Sequence, residues 1–115
     1  MENVKEFMLL FRMEPGNTKP TEEQIAKMHE QWQQYIGKIA SQEKLVNVSR
    51  LGFDGVVVSN NQSIKKSIVI EDNLTISGNL TIKATDMEEV VETAKNCPVL
   101  FAGGTVEVRP VLPMN

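Results

Sequence analysis

The run Phe7-Met8-Leu9-Leu10-Phe11 is apolar at every position. Read as a strand over Phe7 to Arg12, it turns Phe7, Leu9 and Phe11 one way and Met8 and Leu10 the other. A strand with one solvated face alternates apolar with polar residues; this one does not, so both its faces need cover. That requirement places it inside a sheet and asks for a second layer on each side.

Two later segments supply neighbours for it. Leu74, Ile76, Gly78, Leu80 and Ile82 keep strict period two against Thr75, Ser77, Asn79 and Thr81, giving one apolar and one polar face. In Gly104-Thr105-Val106-Glu107-Val108-Arg109-Pro110, Val106 and Val108 share one face while Glu107 and Arg109 share the other. A glycine pair, Gly103-Gly104, reads as the turn that opens this last strand. Lys44 to Leu51 reads as a further strand, Gly52 and Gly55 bracket a bend, and Gly55 to Ser59 adds a short strand. Asn60 to Ser63 is a turn, and Ser67 to Glu71 is predicted as a strand built on Ile68, Val69 and Ile70.

Period 3.6 appears twice. Thr21-Glu22-Glu23-Gln24 is a capping box, after a loop over Glu14 to Pro20 that contains Pro15-Gly16-Asn17. The helix that follows puts Ile25, Met28, His29, Trp32, Tyr35, Ile36 and Ile39 on one stripe. Gly37 within it costs roughly 1 kcal/mol against alanine, which predicts close packing on a sheet at that point. Thr85 or Asp86 caps a second helix, answered by Glu88 or Glu89. Its stripe is Met87, Val90, Val91 and Ala94, and Asn96 and Pro98 end it.

The order β-α-β-β-β-α-β is that of an α+β, ferredoxin-like sheet with two helices on one face, in a single domain over residues 1–115. Two helices cover one face only. The apolar back of the first strand therefore predicts a second copy packed sheet to sheet, a homodimer.

Charge and cysteine usage exclude several classes. A net charge of −3 and a pI near 5.2, with Lys65-Lys66 the only basic doublet, give no surface for nucleic acid or an anionic membrane. Met1 to Arg12 is no signal peptide and no apolar stretch approaches transmembrane length, so a cytoplasmic protein is expected. Cys97 is the lone cysteine, which fits a reducing compartment. Placed before Pro98 at a helix end, it is expected to be a small buried residue whose thiolate the helix dipole disfavours. One histidine and one cysteine have no metal-ligand spacing, so no metal and no cofactor are expected.

The chain resembles the YCII-related (DGPF) domain, a family of small dimeric α/β-barrel proteins. The likeness rests on Phe7-Met8-Leu9-Leu10-Phe11-Arg12, Met28 and Trp32, Lys44-Leu45 to Arg50-Leu51, Ala94, Cys97-Pro98, and the tail from Gly103 to Pro110. It covers nearly the whole chain, and the tail is its specific part. The Asp-Gly-Pro-Phe signature is replaced by Asp72-Asn73-Leu74-Thr75. Some members carry a helix histidine and a later aspartate proposed as an acid/base pair; the histidine position falls on or near Trp32, and Asp54 lies near the aspartate. The resemblance implies a dimeric α/β barrel.

The residues themselves offer two sets of candidates. His29, the only histidine, is either a base oriented by Asp54 or a half-buried residue at the edge of the helix–sheet contact. Trp32 and Tyr35 either roof an apolar pocket or belong to the core. Arg12, Arg50 and Arg109, at or near strand ends, either grip a ligand carboxylate or pair with acidic neighbours such as Glu107. The expected function is a small-molecule-binding or regulatory module with its pocket between the sheet and the first helix. The alternative is lyase- or isomerase-type proton transfer by His29 and Asp54.

Overall fold

A computed structural model describes residues 4–16 and 20–114. The chain is α+β, with four strands in one antiparallel sheet. These are β1 (Lys5–Met13), β2 (Leu45–Arg50), β5 (Thr75–Ala84) and β6 (Thr105–Pro110), in the order β2-β5-β1-β6. That order is compatible with the ferredoxin-like plan. β1 is central, as its two apolar faces require, pairing Leu9 with Leu80 on one side and with Val108 on the other.

The helices α1 (Glu22–Ser41), α2 (Met87–Ala94) and the single turn α3 (Pro98–Phe101) are the other layer. Residues opposite one another in register share a face. Phe7, Leu9, Phe11, Leu80 and Ile82 accordingly meet under the helices with Ile39, Val90, Ala94, Cys97 and Val99 to form the core. The opposite face carries Met8, Leu10 and Arg12 from β1, Asn79 and Thr81 from β5, and Glu107 and Arg109 from β6. No helix among the described residues is long and apolar enough to cross a membrane.

The capping box of α1 is formed in full. Thr21 Oγ1 accepts from the Gln24 amide, and Gln24 Oε1 accepts from the Thr21 amide. The loop before it includes Pro15 and Gly16, while Asn17 lies outside the described residues. α1 does not bury its whole stripe. Ile39 is buried and Trp32, Tyr35 and Ile36 are half-buried, but Ile25, Met28 and His29 are exposed, because the first half of the helix overhangs the core. Gly37 faces open space rather than the sheet, so the expected close packing is absent there.

Three other expectations change. Ser67 to Glu71 is not a ladder strand: only Glu71 bridges, to Leu74, across a two-residue turn in which Asp72 and Asn73 both have positive φ. Apolar residues gave it strand character, but Thr75 beside it bonds Val69 O through its hydroxyl, and no ladder extends past the Glu71–Leu74 bridge. Pro98 does not simply end a helix; it starts α3, a position suited to a residue without an N–H. Cys97 therefore sits at the head of α3, and its thiol stays neutral because it is fully buried, which pushes its pKa up to about 11. The last turn of α3 closes through Gly103, at φ 86°, with Gly103 N–H donating to Leu100 O and Gly104 N–H to Val99 O. A Cβ on Gly104 would collide with Arg12 O, so this glycine also admits β6 beside β1.

Between β2 and β5 the chain leaves the sheet. Residues 52–73 form an arm containing a two-stranded hairpin, β3 (Val57–Val58) and β4 (Ile64–Lys65), which pair only with each other. Its loop is held by Ser59 N–H to Ser63 O, by Gln62 at φ 71°, and by Asn61 Oδ1 accepting from the Ser63 amide.

Candidate functional site

Among the described residues, a smaller and a larger hollow adjoin the sheet. The smaller, about 200 Å³, lies between α1, α3 and the end of β1. Met13, Met28, Trp32, Val99 and Phe101 give it apolar walls with no charged side chain. Trp32 reaches it while packing on Phe11 at 5.2 Å between ring centroids and meeting Tyr35 edge-on at 6.0 Å. Tyr35 does not line it. Its phenol donates to Thr93 O at 2.9 Å, tying α1 to the second helix, and burial, helped by the neighbouring Cys97, raises its pKa well above the ordinary phenol value. Tyr35 is thus structural, and Trp32 is both core and wall.

The larger hollow, about 470 Å³, is a cleft on the other side, where the arm departs from the ends of β1 and β5. Leu51, Val56, Val57, Ile68, Val69 and Ile76 wall it, and Arg12, Asp54 and Glu71 bring charge to it. The arm is pinned there by Leu51 N–H to Ser77 O at 2.9 Å and by Thr75 Oγ1 donating to Val69 O at 2.8 Å. Arg12 comes from β1 where the register with β5 shifts: Phe11 pairs with Gly78 and Arg12 with Ile76, leaving Ser77 of β5 as the extra residue.

Arg12 is held from behind. Its Nη1 donates to Glu107 Oε1 at 2.6 Å, and Arg109 Nε donates to Glu107 Oε2 at 2.6 Å. Hydrogen bonds from Arg109 and then Arg12 keep the Glu107 carboxyl below its usual pKa. A guanidinium has five N–H donors, so Arg12 retains donors for a ligand after satisfying Glu107. Arg109 is committed to the same carboxylate and remains largely exposed. Both arginines thus make the acidic pairing that was the alternative to a clamp, and Arg12 alone of the two also reaches a cleft.

The other expected residues separate. Arg50 ends β2 opposite Gly78, is exposed, and lines neither hollow. His29 is exposed rather than half-buried, and its Nε2 lies 3.1 Å from Gln33 Nε2 one turn along the helix. No hydrogen bond or ion pair joins it to Asp54 among the described residues, and it lines neither hollow. Nor do the described residues contain a His, Cys, Asp and Glu cluster suited to a metal ion.

Sequence reasoning found Arg12 and Asp54 but not Glu71, Thr75 or the aliphatic walls of their cleft. The bend glycines and Asp72-Asn73 mark where the chain leaves and re-enters the sheet, which was the available signal. Compared with protein-family models and with curated proteins, the chain matches none.

Proposed function

We propose that this chain is a small-molecule-binding module that works as a homodimer, with its ligand in the Arg12–Asp54 cleft. The carrying observation is that Arg12, oriented by Glu107, and Asp54 converge on one cleft with aliphatic walls. A concave apolar surface with a few placed polar groups is the usual form of a ligand site. Its chemistry selects a compact apolar molecule with an anionic group for Arg12 and a hydrogen-bond donor for Asp54 or Glu71.

Binding is favoured over catalysis by what surrounds the cleft. Its lining contains no histidine, cysteine or lysine. Proton transfer between His29 and Asp54 has no geometric support, because His29 is engaged by Gln33 on the exposed side of α1. The strand order, with Cys97-Pro98 and the Gly103 to Pro110 tail, supports kinship with the YCII-related (DGPF) domain and its dimeric α/β barrel. Met8 and Leu10 on the face without helices support the second copy.

The test is a thermal-shift comparison of matched pairs of small aliphatic carboxylates and their amides. A ligand that binds only the folded chain raises its melting temperature by mass action. The carboxylates are expected to raise it more than the amides, and Arg12→Gln is expected to remove the difference. Equal shifts for both members of each pair, or a difference that survives Arg12→Gln, would defeat the reading.

A further inference from the structure

The chain exposes more surface than a compact monomer of its size. It exposes 8927 Å². A folded monomer of 12.9 kDa exposes about 6,300 Å². The radius of gyration, 15.9 Å, likewise exceeds the roughly 13 Å of a compact chain of this length. The surplus, about 2,600 Å², is comparable with the surface that each partner buries in a large obligate homodimer, about 1,000 to 2,500 Å².

Part of the exposed apolar surface is gathered on the arm. Val56, Val58, Ile64, Val69 and Ile70 are each between 51% and 64% exposed. An isolated two-stranded hairpin is marginal in water, and this one pairs with no other strand. No backbone hydrogen bond within the chain engages the amides of Ile68, Val69 and Ile70 among the described residues. The sheet face without helices carries Met8, Leu10 and, opposite Arg12, Ile76, and is otherwise polar through Asn79, Thr81, Glu107 and Arg109. That face alone offers little apolar surface to a partner.

Charge identifies the partner. The chain has 12 basic and 15 acidic residues. The hairpin and its flanks, residues 55–70, contain Lys65 and Lys66 and no acid; Asp54, Glu71 and Asp72 lie at the base of the arm, and the rest of the chain carries ten basic against twelve acidic residues. A cationic, aliphatic tip complements an acidic body, and a second copy of the chain presents that body. Self-complementary patches of this kind generate a two-fold dimer.

We propose that the arm lies on a second copy of the chain, each protomer receiving the other's hairpin, and that this contact covers the outer wall of the Arg12–Asp54 cleft. Val56, Val57, Ile68 and Val69 belong both to the arm and to that wall. The inference rests on the homodimer reading above and names its surface.

Sedimentation equilibrium of the chain at micromolar concentration tests it. The wild type is expected at the mass of two chains and Val58→Asp/Ile64→Asp at the mass of one, with unchanged far-UV circular dichroism. Hydrogen exchange at Ile68, Val69 and Ile70 is expected to be slow in the wild type and fast in that variant. Lys65→Glu/Lys66→Glu, which changes charge alone, is expected to weaken the dimer about tenfold at low salt. A wild-type dimer that both variants leave intact would overturn the arm contact while the homodimer through the sheet face stands. A wild-type chain at the mass of one would overturn both.

Discussion

The helix-covered half of the sheet and the arm are built from the same residue types, and they end in opposite states. Leu9, Leu80 and Ile82 are at most 1% exposed, whereas Val58, Ile64 and Val69 are more than 60% exposed. Apolarity does not separate them; the supply of partners does. β5 has strands on both sides and helices above it, while β3 and β4 have only each other. Burial worth about 25 cal/mol per Å² is realised within the chain in the first region and remains available to a second molecule in the other.

The largest effect should separate the two regions outright. Leu80→Ala is expected to cost about 3 kcal/mol or more in urea denaturation, through lost burial and the cavity left behind. Ile64→Ala, measured at dilutions where copies are apart, is expected to change stability by less than about 0.5 kcal/mol, as at other exposed positions. Equal costs in dilute chains would end the contrast.

Trp32 sits at its boundary. Half-buried against Phe11, it is expected to lose about 2 kcal/mol on replacement by alanine, less than a fully enclosed indole. A loss matching that of Leu80→Ala would move the core boundary outward along α1.

Gly37→Ala sharpens the comparison from the solvent side. The glycine has open space around it and no positive φ, so alanine is expected to add about 0.5 to 1 kcal/mol of stability through helix propensity. A loss on the same denaturation curve would reveal a contact at that position.

The smallest effect is electrostatic and belongs to the face without helices. Because Arg109 and Arg12 lower the folded pKa of Glu107, the unfolded chain binds the proton more readily. The resulting stability is present above the unfolded pKa, near 4.5, and fades as pH falls through the lower folded value. Thermal melts should therefore show the gap between wild type and Glu107→Gln narrowing as pH falls below that value. A gap that stays constant would show that the two guanidinium groups do not bias the carboxyl.

What the sequence made legible follows the same division. β1, β6 and the second half of β5 could be read because period-two patterns report a buried face directly, whereas at the start of β5 the register shift exposes Ile76 and buries Thr75. α1 could be read because Thr21 and Gln24 announce its cap. The turn at Gly103-Gly104 was equally local. Ser67 to Glu71 misled because apolar β-formers signal strand whether or not a neighbour exists, and pairing is a long-range fact. His29 misled for a related reason: helical spacing shows which side of α1 it shares, but not how far along the helix the core extends. At the candidate site, Arg12 and Asp54 stood out by chemistry. Their meeting depended on the path of the arm, which no local pattern encodes.

The central place of β1 has a consequence for how the protein is made. Both neighbours of this strand, β5 and β6, follow it by a long stretch of chain, and the Arg12–Glu107 pair spans 95 positions. Such non-local pairing slows folding, since loop-closure entropy is lost before any contact repays it. During synthesis, Phe7, Leu9 and Phe11 emerge before every residue of β5 and β6 and have no strand to join until those are made. The nascent chain thus carries this apolar strand unpaired until β5 and β6 have been made. β1 is made before either of the strands that flank it and is completed only when β6 docks.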